Sequence, residues 1–301
     1  MKTGQTLLAF GILLFALPAL GQGMPPVVQA AKDADWARLS SLLLAQSNVK
    51  GVYGDGTSAL HWASYHDNVQ VAVDLIGQGI DVDSITDLGV TPLWLAADNG
   101  SAAMVDALLE NGANPNLNLL SGETLVMTAA HSGNATLVRA LLAAGASPQG
   151  AVTRNQTALM WAAGQGHGDV VGALLDYGAK VDARTLVRSQ FVKSEKEQDS
   201  HPANMVWVEQ GGNTALIFAA RAGSLESARL LVAAGSDVNG LSAFGTSPAI
   251  MAVHGGNIEL LDFLLESGAD VESSASGHTA LHAAILRGSP EAVELLLDHG
   301  A

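Results

Sequence analysis

The chain contains no cysteine. Disulfides, thiolate metal sites and cysteine nucleophiles are thereby excluded, as is a lipoprotein anchored through an N-terminal cysteine. Aromatic residues are scarce, at 5%, so smaller side chains must fill the interior. Basic residues are few, 14 Lys and Arg against 29 Asp and Glu, for a formal charge of −15. That balance disfavours nucleic acid, whose binding rests on neutralising phosphates, and disfavours an anionic membrane surface. It suits basic or mixed-charge protein partners and ordinary solubility alike.

No apolar run is long enough to span a membrane. Leu7 to Leu17 is apolar except for Gly11, well short of the ~20 residues that a spanning helix needs. With Lys2 before it and Ala19-Leu20-Gly21 after it, this run has the layout of a secretory signal peptide. Residues 1–21 are expected to be removed, with cleavage before Gln22. The mature protein, residues 22–301, is then expected to be exported, to the periplasm first and to the medium second, and not to be an integral membrane protein.

What the chain does have is a period. One slot is filled in turn by Ser58, Thr91, Thr124, Thr157, Thr214, Ser247 and Thr279. The separations are 33, 33, 33, 57, 33 and 32, and the long one exceeds the period by 24. Five and six residues beyond each slot stand small residues such as Ala96-Ala97 and Ala162-Ala163, and 21 beyond it stands glycine, from Gly79 to Gly300. A fixed period of this length marks stacked supersecondary units that cannot bury their apolar faces alone.

Residues 88–120 show how one unit folds. Thr91-Pro92 starts a helix, proline being tolerated in a first turn. Gly100 ends it in a left-handed position. Met104, Val105, Leu108 and Leu109 give a second helix its apolar stripe, and Gly112 stops that one. Ala113-Asn114-Pro115-Asn116 carries turn residues towards the next unit. Helix, turn, helix and loop make an all-α solenoid.

Ala-Leu-His-Trp-Ala at 59–63, Thr-Pro-Leu-Trp-Leu-Ala-Ala at 91–97 and Thr-Ala-Leu-His-Ala-Ala at 279–284 resemble the ankyrin signature. Gly-Ala-Lys-Val-Asp-Ala at 178–183 is similar to the ankyrin inter-repeat turn. Seven such units stand in register, and a fainter eighth around Ala30-Ala31 and Leu42-Leu43 reads as an N-terminal cap. The resemblance implies an ankyrin-repeat solenoid that binds another protein through its concave face. It also implies structural roles for His61, His167 and His282.

Four departures stand out. Asp67 and Asn155 replace glycines of the pattern, and both residue types tolerate left-handed geometry. The 24 extra residues fall at about 187–210, with a polar middle and apolar flanks that include Phe191 and Trp207. As a passive loop the insertion would cost little, about 0.6 kcal/mol per doubling of length. Its flanks also fit an extended hairpin contacting a partner, since long structureless loops are uncommon. Lastly, Leu295 to Leu297 look like an internal repeat rather than a polar cap, so this end is covered by another subunit or by further sequence, or is left partly exposed, and self-association through it stays open.

No catalytic, metal or cofactor motif appears. The histidines lack the paired spacing plus glutamate of a zinc helix, Gly164 to Gly168 lacks the context of a phosphate loop, and no nucleophile elbow is present. Recognition remains. The seventh and eighth positions after each slot vary where the helix interiors do not. They nominate Tyr65, His66, Asp98, Asn99, His131, Ser132, Gln165, Arg221, His254 and Arg287 as protein-binding residues, with Phe191 and Trp207 from the insertion. The expected function is a non-catalytic exported scaffold. The alternatives are an accessory module of an enzyme docked at the C-terminal end and a secreted effector acting on a host protein.

Overall fold

The computed structural model describes residues 23–45, 47–193 and 205–301. The expected signal peptide, residues 1–21, and the polar middle of the insertion lie outside the described residues. Sixteen α-helices among them form eight pairs. The first four are α1 (Pro26–Lys32) with α2 (Trp36–Leu44), α3 (Ala59–Tyr65) with α4 (Val69–Gly77), α5 (Pro92–Asp98) with α6 (Ala102–Glu110), and α7 (Leu125–Ser132) with α8 (Ala135–Ala143). The rest are α9 (Ala158–Gln165) with α10 (Gly168–Asp176), α11 (Ala215–Ala222) with α12 (Leu225–Ala233), α13 (Pro248–Gly255) with α14 (Ile258–Glu266), and α15 (Ala280–Arg287) with α16 (Pro290–Asp298). Odd-numbered helices pack on odd-numbered ones and even on even, which makes two rows. This is the expected all-α solenoid.

The recurring Thr or Ser is the N-cap of each odd-numbered helix from α3 to α15, whereas Pro25 precedes α1. From Thr91 to Thr279 its hydroxyl accepts the backbone N–H three residues on, as in Trp94 N–H to Thr91 Oγ1 at 3.0 Å. Each such cap contributes about 1 kcal/mol by satisfying a donor the helix cannot. The alanine slots lie where neighbouring odd helices meet. Ala96, Ala97, Ala129, Ala130, Ala162, Ala163, Ala219 and Ala220 are all at most 5% exposed. With the even-row leucines they join one core that runs from Val27 to Leu296.

The substituted glycine positions keep the backbone that glycine would take. Asp67 and Asn155 sit at φ 55° and 57°, and Ala34 fills the same slot in the cap repeat at φ 53°. In the insertion, β3 (Arg188–Lys193) and β4 (Met205–Gln210) pair antiparallel with Phe191 opposite Trp207. The flanks therefore do form a hairpin. A smaller one, β1 (Ala151–Val152) with β2 (Gln156–Thr157), closes the turn before α9.

Hydrogen bonds run from each repeat to the next. Asn116 Nδ2 donates to the Gly145 carbonyl at 2.9 Å while its Oδ1 accepts from Ser147 N–H at 2.9 Å. Gln149 repeats this two-way amide bridge one repeat further along the stack, and Asn239 two repeats beyond Gln149. His61 adds a longer link. Its Nδ1 accepts from Ser58 N–H at 3.1 Å, and its Nε2 meets the Val90 carbonyl of the following repeat at 3.0 Å. Only the neutral ring protonated on Nε2 satisfies both partners. His282 makes the same Nδ1 contact to Thr279 at 3.3 Å but is exposed.

Burial holds the His61 imidazole below its ordinary value of 6.5. The unfolded chain takes up a proton near that value, and the folded ring refuses it until the pH is lower. This contribution to stability is complete above 6.5 and is lost as the pH falls through the folded value. His61→Ala is expected to lower stability at pH 7 by about 2 kcal/mol, since a buried donor and acceptor lose their partner. The same change should flatten the decline in urea midpoint below pH 6.5, and His282→Ala should do neither.

Candidate protein-interaction surface

The odd-numbered helices present one face beside the hairpins. Its floor is built by the residue four beyond each slot from Ser58 to Ser247: Trp62, Leu95, Thr128, Trp161, Phe218 and Met251. Trp62, Trp161, Phe218 and Met251 are half-buried, packed on the core with one side open. Residues seven and eight beyond the slot share that face, because positions three and four apart on a helix are neighbours. All ten residues nominated there are exposed, and so are Phe191 and Trp207.

The structure gathers them into separate groups. At the N-terminal end, Tyr65 and His66 join Trp36 and Trp62 in an aromatic cluster with ring centroids 5.2 to 6.1 Å apart. Lys32 Nζ lies 5.7 Å from the Trp62 ring centroid. In the middle, His131 meets the edge of Trp161 at 5.1 Å. Further along, Arg221 stands 6.0 Å over Phe218, and His254 lies 5.8 Å from His278. Burial, with His278 and Arg287 nearby, pushes the His254 imidazole down. Burial pushes the Asp98 carboxyl up. Gln165 is exposed at the end of α9.

Several of these side chains tie repeats together. His66 Nε2 meets the Lys32 carbonyl at 3.1 Å. Asn99 Nδ2 donates to the carbonyls of Ser64 at 3.1 Å and Tyr65 at 3.0 Å. Arg287 donates to the His254 carbonyl, and Ser132 Oγ turns back to the Ala129 carbonyl of its own helix at 2.9 Å. Position eight after the slot is thus partly a clamp on the exposed carbonyl end of the preceding odd helix.

A groove of about 750 Å³ lies where the long hairpin meets α11 and α13. Phe218, Phe244 and Met251 are among its apolar lining, and Arg154, Arg188 and Arg221 bring three positive charges. Opposed residues of an antiparallel pair share a face, and successive residues alternate. Arg188, Gln190 and Gln210 share the groove side of the hairpin, with Ser189 of the other face at the groove's border. Phe191 and Trp207 lie on the other, as a cross-strand pair with ring centroids 4.8 Å apart. They are 45% and 70% exposed. Gly211 permits this placement: at φ 103° it passes so close to the Leu186 carbonyl oxygen that a Cβ would collide with it.

Helix pairs, alanine seams and hairpin bridges agree with what comparison finds. The family model described as ankyrin repeats in three copies matches residues 27–119, 111–185 and 216–301. The chain belongs to the ankyrin-repeat family. The crystal structure of the human ASB11 ankyrin repeat domain superposes with a TM-score of 0.58 at 27% identity, covering 88% of this chain and 98% of that one. Mouse palmitoyltransferase ZDHHC13 is 32% identical over 92 residues, 30% of this chain and 15% of that protein. Human neurogenic locus notch homolog protein 1 is 38% identical over 74 residues, 25% of this chain and 3% of that protein. The chain thus spans a small part of these relatives' length. Ankyrin repeats generally mediate protein–protein interaction, and no helix among the described residues is long and apolar enough to cross a membrane.

The clamp and the contact surface separate by mutation. Asn99→Ala should lower stability by about 1 kcal/mol, the usual worth of a hydrogen bond, whereas the neighbouring Asp98→Asn should leave the urea midpoint unchanged or raise it. Equal losses from both would contradict the clamp.

Proposed function

We propose that this ankyrin-repeat protein is an exported, non-catalytic scaffold that binds another protein through its odd-helix face and the 187–210 hairpin. The observation that carries the reading is the exposed Phe191–Trp207 pair. Two strands spend an ordered cross-strand contact on side chains that remain largely in water. Aromatic residues are enriched at protein interfaces, where they supply large contact area. The N-terminal layout of residues 1–21 supports export, with the periplasm as destination.

One preparation tests both halves of the proposal. Expressed with its full N-terminus, the protein is expected in the periplasmic fraction with Gln22 first. From that fraction it should capture a partner that Phe191→Ser plus Trp207→Ser fails to capture, with helical circular dichroism unchanged. Retention of capture would remove the hairpin's role, and an intact N-terminus in the cytoplasm would remove export. Recovery from the medium would favour a secreted effector acting on a host protein.

A second reading rests on the last pair. Ile285 fills an alanine slot yet is 61% exposed, beside Leu286 at 84% and Leu297 at 53%. This apolar end supports docking of a second copy or of an enzyme to which the array is accessory. Light scattering of the mature protein should then show a dimer that Leu286→Glu dissociates, or an active enzyme should co-purify. A monomer at high concentration with no associated activity would discard this reading.

A further inference from the structure

We infer that the groove between the long hairpin and helices α11 and α13 recognises an acidic, extended segment of a partner protein. The inference rests on the scaffold reading and assigns the chemistry of one part of it. The chain has only 14 basic residues against 29 acidic ones, yet Arg154, Arg188 and Arg221 converge on this groove, and among the described residues no carboxylate lines it. They come from three elements: the β1–β2 turn, the start of β3 and the end of α11.

Arg154 is held in place by its backbone. It adopts φ 71°, next to Asn155 at φ 57°, a geometry that costs an ordinary side chain and recurs at functional positions. The turn is locked on both sides. The Arg154 carbonyl accepts Leu186 N–H at 2.7 Å, and Asn155 Nδ2 donates to the Arg184 carbonyl at 2.7 Å. The Arg154 side chain nevertheless stays exposed. Arg184, close by, differs: its Nη1 donates to the carbonyls of Gly212 at 3.0 Å and Leu241 at 2.6 Å, so it serves the scaffold.

The occupant follows from these features. Guanidinium groups match carboxylates in planar, two-point geometry, and Phe218, Phe244 and Met251 offer an apolar seat between the charges. The groove is lined by Arg188, Gln190 and Gln210 from one face of the hairpin, a row of polar side chains at strand spacing that suits an extended segment. The net charge opposes an acidic partner at long range, so recognition is local and short-ranged.

Selection of short random peptides on the mature chain is the test. Enrichment of Asp and Glu around an apolar residue is expected, and it should vanish with Arg154→Gln plus Arg221→Gln. A selected peptide labelled for fluorescence anisotropy should bind those single variants about tenfold more weakly each, as for the loss of a charge-assisted hydrogen bond. Arg139→Gln, an exposed position on α8, should bind as wild type does. Selection without charge preference, or equal binding by the groove variants, would overturn the inference. So would displacement of the peptide by inorganic phosphate at the peptide's own concentration, which would mark a small-anion site. If selection fails while partner capture persists, the groove's chemistry is wrong and the scaffold reading stands. If both fail, the scaffold reading falls with it.

Discussion

The close approach of neighbouring odd-numbered helices is the constraint on which the structure depends. Helices of seven to nine residues are too short to persist alone in water. Each pair is stable because alanines at two successive slots let the next pair close over it, and the caps and glycines serve that contact by fixing where each helix starts and stops. The protein is in this sense one extended interface repeated. Stability accumulates from contacts between neighbours rather than from a single centre.

That arrangement explains why the fold was legible in the sequence and the surface was not. Period, caps and small-residue slots are properties of position along the chain, and one chain displays them seven times over. The conformations of Asp67 and Asn155 were legible for the same reason, since the repeats on either side define what the slot requires. Ala34 follows that rule too, although the fainter first repeat hides it. The groove obeys no such rule. It exists because a hairpin from between two repeats leans over the helices of the next two, and spacing carries no information about that lean.

The variable helix ends show how reading a column can mix two roles. Positions seven and eight after the slot vary, and variation suggested contact with partners. Asn99 and His66 vary because several polar side chains can reach the carbonyls of the preceding helix, whereas Arg221 faces open space over Phe218. The bulky residues four beyond the slot were the overlooked signal. Trp62, Trp161, Phe218 and Met251 are large beside the small residues that follow them in each helix, and in an aromatic-poor chain such choices are conspicuous.

The helix stack closes beneath the insertion. Helices α9 and α11 pack directly on each other despite the longer chain path between them, and Arg184, which precedes the insertion, reaches the Gly212 and Leu241 carbonyls that follow it. The stack therefore does not depend on what the hairpin carries beyond Val187 and Gln210. A loop so attached is an exchangeable part. Its strands can be lengthened, recharged or replaced while the helices beneath stay in register, so new binding preferences can arise without renegotiating the fold.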